Sequence, residues 1–247
     1  MHTILAIETS TELASVALLR GDQVISRVSA DVATHSQAVL PLVQQLLADA
    51  GLTLKQCDAL AFGAGPGSFT GVRTACGIIQ GLAYGAGLPV IPVGTLMAMA
   101  LACHEAQGGN DVVALLDARM EEVYWAQYHF NGDWQVLMPP TLSKAGEVAP
   151  LPVRTSLAAC GNGLPLLVDD GRLVAARCYP DIMPHAVQIA RLALLAYGRG
   201  ELLEARNAQP VYLRNRVALT TLERQEVQMQ RARLAASMPA AATAVQP

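Results

Sequence analysis

At 247 residues, 52% hydrophobic and 15% charged, the chain can build a sizeable core and is not disordered overall. A net charge of −3 argues against a protein that grips nucleic acid on its own, which usually presents a basic face. No apolar run reaches the roughly 18–20 residues of a membrane span, and Met1 to Glu8 lacks the basic flank and long apolar stretch of a signal peptide, so a cytoplasmic protein without membrane association is expected.

Residues 3–9 read as a first strand, and Glu8-Thr9-Ser10-Thr11-Glu12 as a polar turn. Ala14 to Leu19 and Val24 to Ser29, joined at Gly21-Asp22, complete an antiparallel meander. Thr34-His35-Ser36-Gln37 has the form of a capping box with Thr34 as N-cap. Its helix runs to Asp49, with Val39, Leu42, Val43, Leu46 and Leu47 on one face and Gly51 as the C′ residue. Ala59 to Phe62 is a short buried strand. The nine residues that follow, Gly63-Ala64-Gly65-Pro66-Gly67-Ser68-Phe69-Thr70-Gly71, hold four glycines and a proline and predict a sharp turn. A helix starts at Phe69 or Thr70 and carries Val72, Ala75, Cys76, Ile79, Leu82 and Ala83 at three- and four-residue steps. Leu88 to Val93 is extended and Thr95 to Glu105 helical, so the first half reads β-β-β-α-β-α-β-α.

Gln107-Gly108-Gly109-Asn110 marks a boundary, after which the opening pattern returns. Val112 to Leu116 is a strand, Asp117 to Glu122 a polar turn, Val123 to Phe130 a strand, Asn131-Gly132-Asp133 a turn and Gln135 to Met138 a strand. Such repetition points to a duplicated architecture. Pro139, Pro140, Pro150 and Pro152 predict an irregular stretch. Leu157 to Cys160 is a short strand ending in Gly161-Asn162-Gly163. A strand near Arg172 to Cys178 and a helix from His185 to Tyr197, ending at Gly198, come next. Pro210 to Arg214 is extended, and the last ten residues read as a disordered tail. The expected organisation is two α/β lobes, 1–107 and 108–216, the second degenerate, with an extension over 217–247.

The glycine loop either cradles phosphate at a helix N-terminus or is only a strand-to-helix turn. It is not a Walker A loop, since the only lysines are Lys55 and Lys144, and Ser68 breaks GxGxxG. On the helix after it, Arg73, Gly77, Gly81 and Gly85 fall four apart. Glycine in a helix interior costs about 1 kcal/mol relative to alanine, so these mark either tight packing on the protein's own sheet or a seam for another helix. The duplicated unit with polar turns after each first strand suggests the actin-like ATPase architecture. Glu8, Glu12 and Asp117 in those turns either hold magnesium or activate water, or simply cap hairpins.

No two of the five histidines have the spacing of ligands on one helix face, His104-Glu105 is not part of HExxH because Gly108 fills the second position, and there is no GxSxG. The cysteines, Cys57, Cys76, Cys103, Cys160 and Cys178, are odd in number and widely spaced, which suits free thiols, with Cys76 and Cys160 in the core. Six late arginines (Arg206, Arg214, Arg216, Arg224, Arg231, Arg233) fit either RNA contact or an exposed face mixed with Glu201, Glu204, Glu223 and Glu226.

Ile7-Glu8-Thr9-Ser10-Thr11, His35-Ser36-Gln37, Gly65-Pro66-Gly67-Ser68-Phe69-Thr70-Gly71-Val72-Arg73, Gln80-Gly81-Leu82-Ala83, Asp117-Ala118-Arg119, Glu122-Val123-Tyr124 and Pro210-Val211-Tyr212-Leu213-Arg214 together resemble the bacterial TsaB (YeaZ) family. The resemblance runs from residue 1 to about 216. It implies an actin-like (ASKHA) two-lobed fold and a place in making N6-threonylcarbamoyladenosine at position 37 of ANN-decoding tRNAs. It further implies a non-catalytic partner of the metalloprotein TsaD, acting with the ATPase TsaE, a homodimer when alone, and contact with tRNA through the complex. In TsaD, Asn-His-Leu-Glu-Gly-His supplies two metal-binding histidines; here Gly94-Thr95-Leu96-Met97-Ala98-Met99 puts Thr95 and Met99 in their places, a poor pair of ligands. The implied interface is Thr70, Arg73, Thr74, Gly77, Gln80, Gly81, Tyr84 and Gly85. A residual nucleotide site would use Thr9, Ser10, Gly65, Gly161, Asn162 and Gly163, with no cofactor held tightly and ATP or ADP entering through the complex. The alternative is an independent actin-fold phosphotransferase or peptidase.

Overall fold

Strand β1 (Thr3–Glu8) is buried along its whole length, as the middle strand of a covered sheet must be. It pairs antiparallel with β2 (Ser15–Arg20), which pairs antiparallel with β3 (Gln23–Val28). On its other side β1 runs parallel to β4 (Ala59–Gly65), and β4 to β5 (Val90–Gly94), giving the order β3-β2-β1-β4-β5. The computed structural model describes residues 1–29, 35–153, 156–167, 173 and 176–214. The expected N-cap Thr34 and the C-terminal tail lie outside them.

The second sheet repeats the first. β6 (Asp111–Arg119), β7 (Glu122–Phe130) and β8 (Trp134–Lys144) form the meander, β9 (Leu157–Cys160) and β10 (Arg177–Tyr179) run parallel on the other side of β6, and the order is β10-β9-β6-β7-β8. Two copies of one meander-plus-parallel topology are the actin-like ATPase (ASKHA) α/β arrangement. Two local expectations are corrected. The polar turn at Asp117–Glu122 shrinks to Met120-Glu121, because Asp117 to Arg119 continue β6 and Glu122 begins β7. Pro139 and Pro140 are not in an irregular stretch but inside β8, which is an edge strand; the register slips there, between Thr141 opposite Trp125 and Met138 opposite Gln127. An edge bulge tolerates residues that lack a ladder N–H.

Helices cover both faces of the first sheet. Helix α1 (His35–Asp49) supplies Val39, Val43 and Leu46, and α2 (Phe69–Ala86) supplies Ala75, Cys76, Ile79 and Ala83, to a cluster with Leu5, Ile7, Val16 and Phe62. The opposite face, Ile4, Ala6, Ala17, Ala59 and Ala61, meets Ala186, Ile189, Ala190 and Ala193 of α4 (Ala186–Gly198). Helix α3 (Thr95–Gln107) puts Leu96, Met99, Ala100 and Cys103 against the second sheet. So the helix after β5 serves the second sheet and the helix after β10 serves the first, and residues 1–213 form one compact unit.

Helix α4 begins one residue after the expected His185, which is its N-cap: the His185 Nδ1 accepts the Val187 N–H at 3.1 Å, and the Ala186 N–H is taken by Ser15 Oγ at 3.0 Å. Burial holds the His185 imidazole below its ordinary value. The neutral ring is therefore favoured on folding. The stability it contributes is complete above the unfolded value of about 6.5 and is lost as pH falls from there through the folded value. Denaturant midpoints between pH 7.5 and 5 should fall more for the wild type than for His185→Asn, whose cap does not titrate; parallel profiles would remove His185 as the cause.

Candidate partner interface on the glycine-loop helix

The turn after β1 and the loop after β4 are built into one another. The Glu8 side chain is wholly buried, its Oε1 accepts the Ser10 N–H at 2.5 Å, and Gly63 leaves room for the carboxylate: a Cβ at Gly63 would lie 1.7 Å from Glu8 Oε2. Ser10 O accepts the Ser68 N–H at 2.7 Å, and a Cβ at Gly67 would meet Ser10 Cβ at 2.6 Å. The Thr9 hydroxyl donates to the Gly71 carbonyl at 2.7 Å, while the Thr9 carbonyl oxygen stands 1.9 Å from where a Gly71 Cβ would be. The side of the loop facing the β1–β2 turn is thus filled by the chain's own Thr9-Ser10 backbone, and these glycines are packing glycines. The Ser10 hydroxyl is buried without a hydrogen-bond partner among the described residues.

Ser68 caps α2, accepting the Gly71 N–H at 3.4 Å, and Gly87 ends it at φ 69°. One side of α2 is core. The other is open. At Gly77, Gly81 and Gly85 an added Cβ would find nothing within 4 Å among the described residues, and all three glycines are exposed. Tight packing on the protein's own sheet is therefore not the reason for these glycines. Thr70 and Arg73 are exposed on the same helix, as is Tyr84 at 83%. Three of the eight expected interface residues engage their side chains within the chain: the Thr74 hydroxyl donates to Thr70 O at 3.0 Å, Gln80 Nε2 donates to Ala208 O at 2.8 Å, and the Arg73 guanidinium rests on the Phe69 ring.

That last bond belongs to a strap. Residues 208–213 cross the start of α2, where the Val211 N–H donates to Ala64 O at 2.7 Å and Cys76 Sγ reaches Ala208 O at 3.5 Å. The strap places the Tyr212 ring near Phe69, centroids 5.8 Å apart, with the Arg73 guanidinium 3.1 Å from the Phe69 centroid and 4.7 Å from that of Tyr212. Phe69 and Tyr212 were not among the expected site residues. Both stand in the quoted sequence blocks, but nothing in a linear pattern says that blocks separated by more than a hundred residues touch.

The expected nucleotide residues fall in two groups. Thr9, Ser10 and Gly65 lie in the packed region around the glycine loop. Gly161 and Gly163 lie against β6, a Cβ at Gly161 falling 2.0 Å from Leu115 O, and Asn162 Oδ1 accepts the Asp117 N–H at 2.9 Å. The two hairpin turns meet where Arg119 Nη2 lies 3.9 Å from Glu12 Oε1. Asp117 Oδ1 accepts the Arg119 N–H at 2.7 Å, so Asp117, like Glu8, caps its own turn. Arg119, Met120 and Glu121 all have positive φ, at 66°, 58° and 61°.

Thr95 and Met99 both hold the fold. The buried Thr95 hydroxyl accepts the Gly65 N–H at 3.1 Å, and the Met99 methyl fills the space that a side chain at Gly161 would need. Among the described residues no group of three His, Cys, Asp or Glu is placed to hold a metal ion, and no helix is long and apolar enough to cross a membrane. Four of the five cysteines are buried and Cys178 is exposed, all as free thiols; burial pushes the Cys57 thiol up to about 11. Of the late arginines, Arg206 pairs with Glu204 at 2.7 Å, while Arg216, Arg224, Arg231 and Arg233 lie outside the described residues.

A family model described as "TsaD: tRNA N6-adenosine threonylcarbamoyltransferase" matches residues 30–223. The "tRNA threonylcarbamoyladenosine biosynthesis protein TsaB" of Escherichia coli is 39% identical over 239 residues, 90% of this chain and 99% of that protein. The protein of the same name in Haemophilus influenzae is 39% identical over 91% of this chain and 98% of its own length. Among solved structures, "YeaZ from Pseudomonas aeruginosa" superposes with a TM-score of 0.81 at 38% identity, covering 86% of this chain and 100% of that one. Matched nearly end to end by these relatives, and carrying the glycine loop, the open face of α2 and the strap in one fold, the chain belongs to the bacterial TsaB (YeaZ) family.

Proposed function

We propose that the chain is a non-catalytic subunit in the formation of N6-threonylcarbamoyladenosine on ANN-decoding tRNAs, and that it docks the catalytic TsaD through the outer face of α2. The observation that carries this reading is the open glycine row. Three glycines on successive turns of the exposed side of α2 weaken that helix and pack against nothing among the described residues, but they let another backbone approach closely. The absence of a catalytic role is supported by Thr95 and Met99, buried supports of the fold at the positions where TsaD carries histidines. In this reading TsaE joins through the complex, any ATP or ADP and the tRNA are met there, and the chain pairs with itself when TsaD is absent.

A tRNA modification assay with TsaD and TsaE, with and without this chain, tests it. Product should form at a useful rate only when the chain is added, and the chain alone should turn over neither ATP nor casein. Equal product without the chain, or turnover by the chain alone, would favour the independent-enzyme alternative.

A further inference from the structure

Arg73 is the one charged side chain on α2. Among the described residues no carboxylate pairs with it. Its hydrogen bond within the chain, Nη1 to Phe69 O, is 3.5 Å long and correspondingly weak. The guanidinium lies back over the first turn of the helix, against the Phe69 ring, as helical side chains do. That is the positive end of the helix dipole, where a cation is disfavoured. Helix stability therefore does not account for an arginine here. What the site does supply is orientation. The Phe69 ring from the helix start and the Tyr212 ring from the strap both lie beside the guanidinium, whose carbon is 3.1 and 4.7 Å from their centroids, and the residue is exposed to an incoming anion.

We propose that Arg73 is the charge anchor of the docking face: Phe69 and Tyr212 are positioning residues that hold its guanidinium for bidentate capture of an Asp or Glu carboxylate on the protein that packs along Gly77, Gly81 and Gly85. The inference rests on the docking reading above and adds the chemistry the partner must present. A protein carboxylate fits better than an RNA phosphate on two grounds. Arg73 stands in the same four-residue row as the three glycines, so whatever lies along them reaches it. And phosphate binding draws on several cations at once, whereas α2 offers one, in a chain of net charge −3. An arginine resting on an aromatic ring, open now and desolvated only when a partner covers it, also has the character of an interface hot spot.

The test is the affinity of the full chain for TsaD, by titration calorimetry at low and high salt, with the melting temperature of each free variant as a fold control. Arg73→Gln should weaken binding about tenfold or more and Arg73→Glu further. Arg73→Lys should fall between wild type and Arg73→Gln, because an ammonium neither stacks nor binds bidentately. Tyr212→Ala should weaken binding less than Arg73→Gln and flatten the salt dependence. Replacing the facing acidic residue of TsaD by arginine should restore binding to Arg73→Glu. If Arg73→Gln binds as tightly as wild type while Gly81→Arg does not bind, the face docks but the anchor is overturned. If both variants bind like wild type, the docking reading fails and takes the anchor with it. If Arg73→Gln spares assembly but weakens tRNA binding by the complex, phosphate is the ligand and the proposal is overturned.

Discussion

Gly71→Ala is expected to destabilise the chain by about 3 kcal/mol or more, a large part of the roughly 5–15 kcal/mol that holds a domain folded. Two effects oppose each other. Alanine is the better helix former by about 1 kcal/mol. Against this, the new methyl would lie 1.9 Å from the Thr9 carbonyl oxygen and 2.9 Å from its carbon, which are backbone atoms and cannot rotate away. The Thr9 segment is held there by its hydroxyl bond to Gly71 O and by the Ser68 N–H bond to Ser10 O, each 2.7 Å. Making room means stretching both, and a buried polar group left unsatisfied costs about 1–3 kcal/mol. The clash wins. Guanidinium denaturation of the purified variant measures it; a loss below about 1 kcal/mol would mean that the β1–β2 turn and the start of α2 are not locked together.

The same substitution on the other side of α2 should act in the opposite direction. Gly77→Ala, Gly81→Ala and Gly85→Ala meet nothing within 4 Å among the described residues, so only the helix propensity term remains. Together they should stabilise the free chain by about 2 kcal/mol, somewhat under the sum of three interior gains because Gly85 is next to the last residue of the helix. In scanning calorimetry that is a rise of roughly 4–8 °C for a chain of this size. The same three methyls would stand between two backbones in the complex, so affinity for TsaD should drop at least about tenfold as stability rises. A destabilised triple variant would mean that the face is covered within the protomer. A stabilised variant that binds unchanged would mean that the partner does not approach the row closely.

The strand pattern was legible because it depends on local apolar periodicity. The eight elements of the first half and the first two strands of the repeated meander stand close to where their residues place them, whereas β8 runs over Trp134–Lys144 and not only Gln135 to Met138. The misread positions are those whose structure is decided by a distant neighbour. Pro139 and Pro140 signal a break in isolation, yet an edge strand with a slipped register accommodates them. The four glycines of the loop signal either a phosphate cradle or a turn, and which of the two depends on the Thr9-Ser10 backbone that occupies the space. The helix glycines were ambiguous for the same reason, since a missing side chain does not say which neighbour it makes way for. Tyr212 over Arg73 joins two segments more than a hundred residues apart, and no periodicity encodes that contact.

Docking through the outer face of α2 is tested by the binding of Gly81→Arg to TsaD. An arginine there projects from an exposed surface and should leave the free chain's melting temperature nearly unchanged, but it cannot fit where two backbones meet. Binding should weaken by roughly a hundredfold or more. A Gly81→Arg chain that folds normally and binds TsaD as tightly as the wild type would contradict it.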